Sequence, residues 1–290
     1  KIIKTISEKE SRITYIFQEN KGLLKLKETY NHALAISKGD YVAILEGDDY
    51  WLPKKLELQL RKIAETDAIF CWGIAEARDD NKKYLEKYPI NFAFSKLEIY
   101  QNTKPAYILN MMYEDFPIPL TWLIKRNALL KIGGFIQSSF ALMLDRDTIY
   151  ELSLHGRFAF VEETIGIYRR QINQATGGRM LEISEATGRI FENFCKKLPK
   201  EIRKNVLFSD SEISTLNNNH MLVAYSRYGR YKLRIKEYRE AKIYYSKSII
   251  HQGDISVFMW RIRSMIGFLF ALFHLDLEGF LKIVGKKSYK

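Results

Sequence analysis

At 290 residues, 47% apolar and 28% charged, the chain is long enough to bury a sizeable core and too apolar to be disordered or fibrous. Its net charge of +12 favours anionic partners: phosphorylated substrates, nucleic acid or an acidic membrane face. The two cysteines, Cys71 and Cys195, and five scattered histidines show no metal spacing, and neither a P-loop nor a G-x-G-x-x-G turn is present.

In chain order, Ile13 to Phe17 (ITYIF) predicts a short strand. Residues 21–37 predict an amphipathic helix with Leu23, Leu26, Tyr30 and Leu34 near one face, stopped by Gly39. Tyr41 to Leu45 (YVAIL) is an apolar run of strand length, of the kind buried on both faces in a parallel sheet. Pro53 stands where a helix over 54–65 would begin, and Ala68 to Ala75 (AIFCWGIA) predicts a second buried strand. The charged stretch 79–87 reads as a surface loop. Pro117 and Pro119 bracket a turn before a strand at 120–124, and Gly133-Gly134 breaks the chain again. A helix over 145–155 ends at Gly156, and Phe158 to Val161 predicts another strand. Alternating strands and helices indicate an α/β layered domain.

Beyond Gly177-Gly178 nearly everything is helical in pattern, which places a domain boundary at 178/179. Within this tail, residues 231–250 resemble one helix-turn-helix unit of the tetratricopeptide kind without a second copy, and so predict a helical appendage rather than a solenoid. Residues 256–287 combine Trp260, Phe268, Phe270 and Phe273 with Arg261, Arg263, Lys282, Lys286 and Lys287. Two readings stay open there: a helix lying on an anionic membrane, and a packed helix with a basic outer face. The longest unbroken apolar run, Met265 to Phe273, is too short to span a bilayer.

Three carboxylates in four residues, Glu46, Asp48 and Asp49, follow the strand at 41–45. Like charges this close need a cation or hydrogen bonds to offset their repulsion. In open α/β sheets the ligand crevice lies at the carboxyl ends of the strands. Capping of the following helix would account for Asp48 and Asp49, but not for Glu46. The position therefore favours a Mg²⁺ or Mn²⁺ site completed by substrate phosphates.

The stretch GDYVAILEGDDYWLPKKLELQL, residues 39–60, resembles the metal-binding segment of the family 2 glycosyltransferases, which have the GT-A fold. Asn20 and Gly22 in ENKG, and Asn31 in YNHAL, sit where that family carries its Asn-x-Gly and following Asn. TWLIKRNALLKIGGF (121–135) is similar to the acceptor-side segment. LDRDTIYELSLHGRFAFVEETIGIYRR (144–170) is similar to the segment that carries the catalytic base and ends in Tyr-Arg.

The resemblance implies a GT-A-like, mostly parallel sheet flanked by helices over residues 1–178, followed by a helical region over 179–290. It leaves the family's opening strand-helix-strand unmatched, and the chain opens at Lys1, so an N-terminally truncated domain is expected. It further implies an inverting sugar transfer with Mn²⁺ or Mg²⁺ on Asp48, assisted by Glu46 or Asp49. Asn20, Gly22, Asn31, Glu46, Asp48 and Arg169 would contact the donor. The base role goes to Asp145, with Asp147 as the competing residue, because the usual Glu-Asp pair reads Leu144-Asp145 here. Trp51 and Trp122 are candidate sugar-stacking rings, although core packing suits each better.

The implied partners are a nucleotide-sugar donor, UDP-sugar favoured, and a saccharide or lipid-linked saccharide acceptor in cell-surface polysaccharide assembly. An anionic membrane surface is a further candidate partner. Nucleic acid is not expected, since no recognition helix or RNA-binding motif is present. The expected location is the cytoplasm, peripheral on the inner face of the cell membrane. The alternatives are an inactive transferase fragment, or a membrane- or partner-binding module acting through the basic tail.

Overall fold

The computed structural model describes residues 2–89, 100, 116–171, 178–205 and 209–283. Helix α1 (Ile2–Lys9) is followed by an irregular segment, a single 3-10 turn at Leu23–Lys25 and α2 (Leu26–Ile36). Strands β1 (Tyr41–Ala43) and β2 (Tyr50–Trp51) flank the acidic turn, and α3 (Lys55–Thr66) starts two residues after Pro53. β3 (Phe70–Arg78) and β4 (Tyr84–Tyr88) form a hairpin. β5 (Leu123–Lys125) then leads into α4 (Arg126–Lys131), α5 (Asp145–Leu152) and the long β6 (Phe158–Arg169).

The strands join in the order β1-β5-β3-β6-β2, with β4 also on β3. Only β3 and β6 run parallel, with Phe70 opposite Phe158 and Cys71 opposite Ala159, and the other described pairings are antiparallel. The sheet is therefore mixed, not mostly parallel. Continuous apolar runs report burial on both faces, and that condition is met here without parallel neighbours. Phe70, Trp72, Phe158 and Phe160 point to one face, where they pack with Trp122, Ile149 and Phe191. Cys71, Ala159 and Val161 point to the other, beneath Ile63 of α3. The period of two along β3 and β6 divides these sets between the layers.

Two other expectations fail for local reasons. Ile13 to Phe17 forms no strand: no described strand pairs with it, and Ile13, Ile16 and Phe17 are exposed. Residues 79–87 are not simply a loop, because Asp79 Oδ1 accepts the backbone N–H groups of Asn81 and Lys83 and Lys82 takes φ 61°. Those features turn the chain into β4, whose charged residues hid the strand.

The tail is helical, as expected: α6 (Met180–Lys197), α7 (Lys200–Asn205), α8 (Asp210–Arg234), α9 (Tyr238–Ile250), α10 (Phe258–Leu272) and α11 (Leu277–Ile283). Gly177 of the expected boundary lies outside the described residues. Helix α6 joins the sheet core through Ile190, Phe191 and Cys195. The expected helix-turn-helix is α8 and α9, with Lys236 at φ 64° between them, and its first helix begins much earlier, at Asp210. Ser209 caps α8 in a reciprocal capping box with Glu212. Helices α8, α9 and α10 approach closely because their contact residues are small. The hydroxyls of Ser226, Ser248 and Ser264 lie 2.8 to 2.9 Å apart around Ser264, and Tyr245 is held between Gly229 and Gly267.

Segment 255–272 is, by length and composition, apolar enough to cross a bilayer, with a mean hydropathy of 1.5. No unbroken apolar run displays this, because Arg261 and Arg263 interrupt the segment.

Candidate active site

The acidic turn lies just past β1. The N–H of Asp49 donates to the carbonyl of Glu46 at 3.1 Å and closes the turn, and nothing lies within 4 Å of where a Cβ on Gly47 would stand. One carboxylate oxygen from each of Glu46, Asp48 and Asp49 falls within 4.8 Å of the others. Neither aspartate caps α3, whose start carries no side-chain cap bond.

β6 fixes this turn from the side. Tyr50 and Trp51 pair with Ile167 and Gly166, and a side chain on Gly166 would stand 2.1 Å from Leu120 Cδ1. Two residues on, the Arg169 N–H donates to Asp49 Oδ1 at 2.9 Å and its guanidinium donates to the Asp48 carbonyl. Arg169 is thus brought to the acidic turn. Arg170 is not: it turns to Glu86 and the Tyr88 hydroxyl on β4.

Beneath the turn lies a buried polar strut. Lys55, 1% exposed, donates to Gln59 Oε1 at 2.6 Å and the Trp122 carbonyl at 3.1 Å, and its ammonium sits 4.7 Å from the centre of the Trp51 ring. Gln59 in turn donates to the carbonyls of Cys71 and Thr121. Trp51 donates its indole N–H to the Leu120 carbonyl at 3.0 Å. Trp122 is fully buried against Phe70, which makes it a core residue rather than a sugar platform.

Helix α2 supplies the opposite wall. Tyr30 donates its hydroxyl to Glu46 Oε1 at 3.1 Å, with its ring edge-on to Phe135. The next residue, Asn31, exchanges both hydrogen bonds with the Phe135 backbone, at 2.7 and 2.9 Å, beneath Gly134 at φ 91°. Asn31 therefore clamps the Gly133-Gly134 turn, and its side-chain amide is engaged by protein. Asn20 and Gly22 form an exposed turn ahead of α2, where Asn20 Oδ1 accepts the Gly22 N–H, and no bond joins them to the acidic cluster.

The two base candidates have different surroundings. Asp147 accepts the N–H and the hydroxyl of Ser138 at 2.8 and 2.9 Å. Asp145 accepts the N–H of its neighbour Arg146 at 2.8 Å. Burial raises the Asp145 carboxyl above the usual carboxylate range, opposed by Arg146. Its charge is felt at Tyr30 and Glu46, so it belongs to the same electrostatic cluster. Glu46 is raised too, by desolvation and then by Asp48 and Asp145, with the Tyr30 hydrogen bond opposing. Asp49 is pushed up to about 7, first by burial and then by Asp48 and Glu46, with Arg169 opposing.

Three clustered oxygen donors whose negative charges are incompletely offset are a donor set suited to a hard divalent cation. Tyr30, Lys55 and Gln59 carry no site signal in the sequence: the spacing places Tyr30 only on an apolar helix face, and Lys55 and Gln59 fall within the helix after Pro53. Nothing in their spacing distinguishes a buried lysine from a solvated one.

The model of glycosyl transferase family 2 matches residues 1–133. An uncharacterised glycosyltransferase of Methanocaldococcus jannaschii is 34% identical over 103 residues, which are 34% of each chain. Another, from Rickettsia bellii, is 35% identical over 79 residues, 27% of this chain and 11% of that protein. An uncharacterised Mycobacterium tuberculosis protein is 24% identical over 156 residues, 52% and 48% of the two chains. The chain thus spans at most about half the length of these relatives. Among solved structures, S. aureus TarS 1-349 in complex with UDP-GlcNAc aligns over 98% of this chain and 80% of its own, with 12% identity and a TM-score of 0.48. Residues 1–133, which contain the whole acidic turn, are thus similar to glycosyl transferase family 2.

Proposed function

We propose that this chain transfers a sugar from a nucleoside-diphosphate donor, UDP-sugar favoured, to an acceptor hydroxyl with inversion at the anomeric carbon. The observation that carries the reading is the turn of Glu46, Asp48 and Asp49 beside Arg169, with a further raised carboxylate, Asp145, near enough for its charge to be felt at Tyr30 and Glu46. Asp48, with Glu46 and Asp49, would hold Mn²⁺ or Mg²⁺, which when bound neutralises charge developing on the leaving diphosphate.

The acceptor oxygen forms a bond to the anomeric carbon as the bond from that carbon to the diphosphate oxygen breaks. The electron pair leaves with the diphosphate, and the acceptor's proton passes to Asp145. A carboxylate raised by burial is a stronger base than one in water, which suits that step. Tyr30 orients Glu46, and Arg169 fixes the turn through Asp49 and the Asp48 carbonyl. The family match over residues 1–133 supports a saccharide or lipid-linked saccharide acceptor in cell-surface polysaccharide assembly.

Calorimetry of UDP binding, with GDP for comparison, tests the donor site. Binding should require Mn²⁺ or Mg²⁺, and Asp48→Ala should abolish the metal dependence. Binding that ignores the metal in the unsubstituted chain, or an Asp48→Ala variant that keeps it, would overturn the assignment.

A further inference from the structure

Helix α10 packs inward through Ser264, Gly267 and Ala271, all small. Its outward face carries Phe258, Met259, Met265, Ile266, Leu269 and Phe273, each between 46% and 65% exposed. Positions 258, 262, 265, 269 and 272 recur at helical spacing and all are apolar, so the exposed residues form one stripe, not scattered singles. A contiguous patch of this kind on a soluble surface marks a contact site.

The border of the stripe is cationic. Arg227 of α8 and Arg263 of α10 both lie over the Trp260 ring, at 5.2 and 4.7 Å from its centre. Both arginines are exposed, and neither is in an ion pair among the described residues. No acidic residue occurs between Ile255 and Leu275, while residues 255–290 hold six lysines and arginines against two acids. An indole contacted by two guanidiniums beside an apolar stripe matches the layering of a bilayer interface, where hydrocarbon lies below anionic headgroups.

We propose that α10 docks the chain on an anionic phospholipid surface, with its apolar stripe in the acyl boundary and Arg227 and Arg263 at the phosphates. The helix lies on the membrane rather than crossing it. Crossing would strip Ser264 from Ser226 and Ser248, and would carry Arg263 and Arg261, bonded to the carbonyls of Ile249 and Gly253, into hydrocarbon.

The test is co-sedimentation of the full chain with phosphatidylcholine vesicles, with and without phosphatidylglycerol, at low and high salt. Binding should need phosphatidylglycerol and weaken with salt. Arg227→Gln/Arg263→Gln should weaken it roughly 30-fold, at about 1 kcal/mol per basic residue near the surface. Ile266→Glu/Leu269→Glu should abolish it while leaving the melting temperature and metal-dependent UDP binding unchanged, which separates this proposal from the transferase reading.

Equal binding to both vesicle types, or none, would overturn it. So would stronger displacement by inorganic phosphate than by chloride at matched ionic strength, which would assign the arginines to a soluble phosphate. Sedimentation showing a dimer that Ile266→Glu/Leu269→Glu splits, without vesicle binding, would make the stripe a self-contact. Resistance of the bound chain to alkaline carbonate would mean insertion rather than docking.

Discussion

Asp145 and Asp147 lie two residues apart at the start of α5, yet their surroundings predict opposite consequences of removal. Asp147 holds the loop before α5 by accepting two hydrogen bonds from Ser138, at 2.8 and 2.9 Å. Asp147→Ala leaves the Ser138 N–H without that acceptor. Bonds to a charged group contribute about 1.5–3 kcal/mol, and release of a partly buried carboxylate offsets some of the loss, so a net cost of about 2–3 kcal/mol is expected. That corresponds to a fall in melting temperature of roughly 5–10 °C. Asp145→Asn removes a half-buried charge that desolvation disfavours while preserving shape, so melting should hold or rise. Loss of a general base should instead lower turnover by about 100- to 10,000-fold.

The assay is nucleoside diphosphate release from a panel of UDP- and GDP-sugars with a saccharide acceptor, run beside thermal melts. UDP binding in Asp145→Asn should remain metal-dependent. An Asp145→Asn variant that keeps its turnover would refute the reasoning. So would an Asp147→Ala variant that melts normally and is inactive, which would exchange the two roles.

Two further predictions concern the frame. Burial lowers the Lys55 pKa to about 8 from an ordinary value of 10.5. Between those values the unfolded chain holds the extra proton, so this group makes stability rise with pH, by up to about 3 kcal/mol across the window. Denaturant melts of the unsubstituted chain and Lys55→Met should therefore diverge in favour of the lysine from pH 8 to 10.5; parallel curves would show that Lys55 titrates normally. Gly267→Ala would place a Cβ 2.2 Å from the ring of Tyr245, itself 2% exposed and unable to yield. Overpacking should cost about 1–3 kcal/mol, less the roughly 1 kcal/mol that alanine gains over glycine in a helix. Met265→Ala on the exposed face should stay within about 0.5 kcal/mol, and equal melts for the two variants would refute the packing account.

The sequence alone determined the features that depend on local pattern. Strands at 41–43 and 70–78 follow from apolar runs, and α3 from Pro53 and the amphipathic spacing after it. The acidic turn follows from three carboxylates placed past a strand. Strand direction was not legible, because burial on both faces has the same signature in parallel and antiparallel sheets. β4 was hidden because Glu86 and Lys87 interrupt its apolar pattern, and only the fold brings Arg170 to Glu86. Only tertiary structure brought Tyr30 to Glu46 and Arg169 to Asp49, 120 residues apart in sequence, and engaged Asn31 with the Phe135 backbone. It also distinguished Asp147, held by Ser138, from Asp145, and buried Lys55 beneath the site. Hydrogen-bond partners distant along the chain leave no periodicity for a sequence to display, and the same residue types serve equally as ligands, clamps or solvated charges until the fold brings their partners to them.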